Sequence, residues 1–219
     1  CSVALGKDGV CIDFEEVNDG YSHAEKLAVF TDELLKRNHF SPSDLDAIAV
    51  SKGPGSYTGL RIGVSLAKGL CFGADKPLIA IDTLKQMCLN SVVQDVISEI
   101  EDPVLCPMLD ARRMEVYTAL FDKEIESLND ISPVILDETS FAEELQKHTM
   151  LFFGNGSEKF KPLCLSQNGR FLNGIWPSAS QMTSLSEKSY IEENYEDVAY
   201  FEPFYLKDFQ ATTPKKGIV

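Results

Sequence analysis

The order of elements expected from hydrophobic periodicity runs through the chain twice, and this repetition restricts the fold more than any single motif. Strand-like runs at 1–6 and 10–16 are joined by Lys7-Asp8-Gly9, and Asp-Gly between β-prone runs signals a hairpin. A helix follows, opened by the capping-box pattern Ser22-His23-Ala24-Glu25. At ~100° per residue, His23, Ala24, Leu27, Ala28, Phe30, Leu34 and Leu35 share one arc of it. A strand at 46–51 has the continuous apolar run of a buried, parallel position; a helix at 57–72, a strand at 76–81 and a helix at 83–100 come next. The order then restarts. Strands at 104–110 and 115–122 flank Ala111-Arg112-Arg113-Met114, with a third at 134–136. A second capping box, Ser140-Phe141-Ala142-Glu143, opens a helix to Lys147, and strands at 150–153 and 170–175 alternate with helices at 157–164 and 178–193. An apolar clasp at 201–206 precedes a tail containing Lys215-Lys216. A duplicated α/β unit follows, with lobes 1–100 and 101–219 and the C-terminal segment packing back on the first lobe.

Charge narrows the partners. The chain holds 34 Asp and Glu against 20 Lys and Arg, a net of −14. Phosphates must be neutralised by basic side chains, so such a chain is a poor stand-alone nucleic-acid binder and unsuited to an anionic membrane surface. Residues 1–98 hold 13 acids and nine bases, and 99–219 hold 21 and 11, so the second lobe carries most of the acidity. The cysteines Cys1, Cys11, Cys71, Cys88, Cys106 and Cys164 form no C-x-x-C pair and read as reduced core thiols of a cytoplasmic protein. No run approaches the ~20 apolar residues of a membrane span. The sequence begins at Cys1 rather than Met, which leaves a removed leader open.

The stretch Ser51-Lys52-Gly53-Pro54-Gly55-Ser56-Tyr57-Thr58-Gly59-Leu60-Arg61 links a strand to a helix. A helix N-terminus presents free N–H groups and the positive end of the dipole, the requirement for holding phosphate. Gly53, Gly55, Ser56 and Arg61 are the candidates for nucleotide or phosphate proximity. The spacing fits neither the P-loop nor the dinucleotide fingerprint, so a tight turn remains the alternative. On the helix itself, small or apolar residues sweep about 240°, far beyond the ~100° stripe that one buried face needs. Gly59, Gly63 and Ala67 sit four apart and form a groove. Either the first helix of the same chain fills it, or the two helices present an intermolecular face.

No catalytic set emerges. His23, His39 and His148 form no i, i+4 pair for a metal, and no Gly-x-Ser-x-Gly elbow occurs. Asp82 and Asp110 end apolar strands, where catalytic acids and helix caps both occur, and Asp82-Thr83 suits an N-cap. Arg112 and Arg113 sit at a hairpin tip and, as neighbours on a strand, would point to opposite faces.

Residues 51–63 closely resemble the signature of the bacterial TsaB (YeaZ) family, Asp110-Ala111-Arg112-Arg113-Met114-Glu115-Val116-Tyr117 looks like its second motif, and the segment from Pro203 to Leu206 like its third. The resemblance spans essentially the whole chain. It implies two tandem lobes of the actin, sugar kinase and Hsp70 type (an RNase H-like, duplicated mixed sheet flanked by helices). It implies a non-catalytic scaffold in threonylcarbamoyladenosine formation on tRNA next to the anticodon. The partners it implies are TsaD, a paralogue that holds a metal through two histidines and transfers the carbamoyl group, and the small ATPase TsaE. The chain would homodimerise when alone, touch tRNA only indirectly, and carry no intrinsic cofactor, with ADP or ATP at the partner interface. That interface is expected on the first two helices, at His23, Leu27, Phe30, Leu34, Tyr57, Thr58, Gly59, Ile62, Gly63 and Leu66. Family members begin with a strand ending in an acidic-Thr-Ser turn ahead of the segment matching Cys1-Ser2-Val3-Ala4-Leu5, and this sequence lacks it. Two other functions stay open: a stand-alone nucleotide-dependent phosphotransferase or ATPase of the same superfamily, and a glycopeptidase, for which no nucleophile or metal set is seen.

Overall fold

Asp8 and Gly9 take positive φ (51° and 77°), the geometry of a two-residue hairpin, and fold β1 (Ser2–Lys7) antiparallel against β2 (Val10–Glu16). The computed structural model describes residues 1–18 and 23–206, the side chains of 23–25 excepted. The capping pattern at 22–25, the side chain of His23 and Lys215-Lys216 lie outside the described residues. Helix α1 (His23–Arg37) buries Leu34 and Leu35 against Leu5 of β1.

The end of α1 is tied to β2 by charge. Arg37 Nε and Nη2 donate to both oxygens of Asp13 (2.6 and 2.9 Å), and Nη1 donates to Glu15 (2.7 Å). The Arg37 bonds and a further one from Asn38 hold the Asp13 carboxyl far below the usual carboxylate range. A depressed folded-state pKa gives stability that is present above the unfolded value of about 3.9 and is lost as pH falls below it. Asp13→Asn should therefore lower the melting temperature at pH 7, while variant and parent converge toward pH 2. Calorimetry across that range at low salt checks this.

Strand β3 (Ile48–Gly53) pairs parallel with β4 (Leu78–Asp82), and helix α2 (Tyr57–Ala74) connects them. Val64, Ala67 and Cys71 of α2 pack on Ile48, Val50 and Leu78. Asp82 caps the next helix by accepting from the N–H groups of Leu84 and Lys85. The single helix expected over 83–100 is in fact two, α3 (Thr83–Cys88) and α4 (Ser91–Ser98). Asn90 starts the second by accepting from Val92 N–H, and Gln94 Nε2 reaches back to the carbonyl of Cys88.

The second half builds one five-stranded mixed sheet, in the order β7-β6-β5-β8-β9, from β5 (Pro103–Asp110), β6 (Glu115–Thr118), β7 (Ser132–Ile135), β8 (Thr149–Phe153) and β9 (Gly169–Leu172). Successive residues of a strand face opposite sides. Leu105, Leu109, Leu151 and Phe153 therefore meet α3 and α4, whereas Val104, Cys106, Met108, Met150 and Phe152 meet Leu145 of α5 (Ala142–Lys147) and Phe160 of α6 (Ser157–Phe160). The second capping box does not form. Phe141 takes the cap position at φ 59°, while the Ser140 hydroxyl turns back to Asp137. The helix expected over 178–193 starts as a 3-10 turn (Ala179–Met182) before α7 (Thr183–Ile191).

The C-terminal segment then lies on first-half elements. Ala179 N–H donates to Ser2 Oγ, Glu196 bridges to Leu78, and Lys68 Nζ donates to the carbonyls of Ala199 and Phe201 (3.1 and 3.0 Å). No helix among the described residues is long and apolar enough to cross a membrane.

Candidate functional site

Strand β3 delivers the glycine loop to the start of α2. Gly53 sits at φ 117°, and a Cβ there would lie 2.7 Å from the carbonyl oxygen of Phe204, so only glycine fits. Phe204 N–H donates to Lys52 O (2.7 Å), and the Tyr205 ring packs on Tyr57 at 4.9 Å between centroids. The apolar clasp thus closes over one side of the loop. Ser56 caps α2, its hydroxyl accepting from Gly59 N–H. Arg61 Nη1 donates to Tyr57 OH (3.1 Å), with its guanidinium 5.4 Å from that ring's centroid. Of the four residues expected near a phosphate, Gly53 lies beneath Phe204, Gly55 and Ser56 border a large cavity, and Arg61 is exposed but turned to Tyr57.

That cavity, of about 1050 Å³, lies beneath α1 and α2. Leu27 and Leu34 of α1 and Gly59, Ile62, Gly63 and Leu66 of α2, all expected at a partner interface, line it together. Leu34 is only 3% exposed and belongs to the core. The open side of Gly63 faces Val50 of β3, 3.7 Å from where a Cβ would stand, so a large residue at 63 would strike the chain's own sheet. Phe30 and Tyr57 are half-buried, and Thr58 is exposed. The outward arc of α2 is a different set: Thr58, Ser65, Gly69 and Phe72, the last 87% exposed. A Cβ at Gly69 or at the neighbouring Gly73 would meet nothing within 4 Å. Sequence reasoning missed Phe72 because it was assigned to the end of the helix. Its place beside Arg61 and Lys68 on the wheel, an aromatic on the wet side, was the available signal.

The other chemical candidates are engaged structurally. Asp110 accepts from Lys159 Nζ (2.8 Å) and from Arg112 N–H (2.6 Å), and its own N–H donates to Asn155 Oδ1. Arg112 and Arg113 lie in a left-handed turn at φ 71° and 50°, not on a strand, so the opposite-faces expectation does not apply. His148 Nδ1 is 3.0 Å from Asp102. The six cysteines are free; burial pushes the Cys71 thiol up to about 11 and Cys106 to about 12, which keeps both protonated and unreactive. Among the described residues, no group of three or more His, Cys, Asp or Glu could hold a metal ion.

The family model described as "TsaD: tRNA N6-adenosine threonylcarbamoyltransferase" matches residues 20–215. The tRNA threonylcarbamoyladenosine biosynthesis protein TsaB of Bacillus subtilis is 31% identical over 193 residues, 85% of this chain and 80% of that one. The chain belongs to the TsaB (YeaZ) family. The TsaB protein of Escherichia coli is 26% identical over 214 residues, covering 95% of this chain and 90% of that one. Among solved structures, a Pseudomonas aeruginosa protein described as similar to peptidase YEAZ superposes with a TM-score of 0.77 over 94% of both chains, at 23% identity, which shows a shared fold. Residues 20–215, matched by the family model described as TsaD, contain both the glycine loop and the clasp.

Proposed function

We propose that the chain is the scaffold subunit of an assembly forming threonylcarbamoyladenosine on tRNA. It pairs with a TsaD-like paralogue that performs the transfer, is joined by a TsaE-like ATPase, and pairs with itself when alone. The observation carrying this reading is the likeness to TsaB proteins over 80–90% of their own lengths. The sheets favour a finer reading as two tandem actin-like lobes, and a role in tRNA modification goes with work in the cytoplasm. The net charge of −14 assigns the tRNA to more basic partners. ADP or ATP would sit at the shared interface near Gly55, Ser56 and Arg61, at the positive end of an 18-residue helix.

The pairing face of this reading is the outer arc of α2, where Gly69 and Gly73 leave room for a close backbone approach and Phe72 offers an exposed aromatic anchor. Gly69→Arg and Phe72→Arg should each weaken binding to the TsaD-like paralogue at least about tenfold, worth about 1.4 kcal/mol. Both should lower the modified nucleoside in a strain that depends on this chain, with the melting temperature nearly unchanged. Affinity comes from calorimetric titration and nucleoside content from mass spectrometry of digested tRNA. Unchanged modification after depletion of the chain would refute the function; intact binding by both variants would refute the face.

A further inference from the structure

Three Asn-Gly pairs occur in the second half, at Asn155-Gly156, Asn168-Gly169 and Asn173-Gly174. In such a pair the side-chain amide carbon and the next backbone nitrogen are tethered reactants, and glycine has no Cβ to keep them apart. Folding restrains two of the pairs. Asn155 Oδ1 accepts from Asp110 N–H (2.9 Å), while Gly156 N–H donates to the carbonyl of Met108 (3.0 Å). Asn168 Nδ2 donates to the carbonyl of Leu145 (2.9 Å), and Gly169 N–H donates to that of Ser166 (3.3 Å). Both glycines are also walled in. A Cβ would stand 2.8 Å from Val116 at Gly156 and 2.6 Å from Cys164 Sγ at Gly169.

The third pair has neither restraint. Asn173 and Gly174 directly follow β9 and are exposed. Among the described residues, no hydrogen bond engages the Asn173 amide or Gly174 N–H, and a Cβ at Gly174 would meet nothing within 4 Å.

We propose that Asn173-Gly174 is a site of spontaneous deamidation and backbone isomerisation. The deprotonated Gly174 nitrogen attacks Asn173 Cγ, the Cγ–Nδ2 bond breaks, and ammonia leaves with the proton that the glycine N–H lost. The product is a five-membered cyclic imide. Water then opens it at Cγ, giving aspartate, or at the Asn173 main-chain carbonyl, giving isoaspartate, in which the chain runs through the former side chain. No oxidant or reductant is consumed. The proposal goes beyond the scaffold reading and does not depend on it.

Its place in the chain gives the change leverage. Ile175 is 3% exposed and packs in the core with Leu84, Met87 and Val93. Trp176 O accepts from Gln181 Nε2, and Ala179 N–H donates to Ser2 Oγ. Residues 173–178 thus carry the chain from the second-half sheet to the 3-10 turn, whose Met182 packs on Ile79 and Ile81 of β4. An isoaspartyl link inserts one methylene into the main chain just ahead of Ile175, and either product adds a negative charge. Ageing at Asn173 therefore loosens the crossover between the halves.

The test is to age the full chain, folded and in urea, and to map its peptides by mass and by the separation of the two product isomers. In the folded chain Asn173 should convert at close to its rate in urea. Asn155 and Asn168 should be slowed at least about tenfold by folding, since about 1.4 kcal/mol of local opening is already a factor of ten. The Asn173 rate should rise with pH, because the deprotonated nitrogen is the nucleophile. Aged parent protein should melt lower and exchange Ala179 N–H faster than fresh protein, whereas Asn173→Gln, which would need a larger and slower-forming ring, should keep both values. Fresh Asn173→Asp supplies the charge without the methylene and should behave as the fresh parent. Equal slowing of all three sites by folding would overturn the site. An aged parent indistinguishable from fresh protein despite conversion, or a fresh Asn173→Asp that matches the aged parent, would overturn the crossover effect.

Discussion

Phe152→Ala should cost about 3–5 kcal/mol and lower the melting temperature by roughly 10 °C. Phe152 is fully buried on β8, and three rings surround it: Phe160 at 5.0 Å, Phe171 at 5.1 Å and Phe141 at 5.7 Å between centroids. Truncation removes the apolar transfer energy, opens a void that β5 and β8 are too rigid to close, and forfeits the ring contacts, each worth about 0.5–1.5 kcal/mol. Phe152→Leu keeps most of the volume and should lose less than half as much. Calorimetric melting of the two variants separates the volume effect from the ring effect. Equal losses would mean that the ring geometry carries the stability.

Gly53→Ala should cost about 2–4 kcal/mol and release the clasp. Two separate terms add: an L-residue at φ 117° is strained by about 1–3 kcal/mol, and the new methyl would collide with the carbonyl oxygen of Phe204. The least costly relief is for residues 203–206 to lift, breaking the Phe204–Lys52 hydrogen bond and separating Tyr205 from Tyr57. Gly55→Ala is the control. Its Cβ would lie 3.8 Å from Leu60 at ordinary φ, so the change should stay within about 1 kcal/mol. Urea unfolding gives the energies. Exchange at Phe204 N–H and limited proteolysis near Tyr205 report the clasp, and both should accelerate in Gly53→Ala alone.

The parts of the fold legible in the sequence were those whose signals are local. Asp8-Gly9 signals a hairpin, Asp82-Thr83 suits a cap, and the apolar runs at 104–110 and 150–153 read as strands. The break at Asn90 was equally local, but the apolar period continues across it from Met87 to Val96, and period outweighed cap. The Ser140 pattern failed because Asp137, three residues earlier, competes for the same hydroxyl. The site was harder. A helical wheel shows that α2 has more apolar surface than one face requires, yet not which part the same chain covers. Gly63 faces Val50 of β3, and Gly59, Gly63 and Leu66 line one cavity with Leu27 and Leu34 of α1, information held 10 to 40 residues away. Gly53 could be recognised as special, but the Phe204 carbonyl that forbids any other residue lies some 150 positions along the chain.

Lys68 illustrates a consequence for synthesis. Its acceptors are the carbonyls of Ala199 and Phe201, and Leu78 finds its bridging partner only at Glu196. At about 5–20 residues per second, the ribosome supplies those partners on the order of ten seconds after α2 has emerged. Until then the apolar flank of that helix near Leu70 and the β4 edge have no covering segment. A nascent chain stalled near residue 175 should therefore be a good client for a holding chaperone, and one stalled beyond residue 206, with its exit-tunnel length added, a poor one.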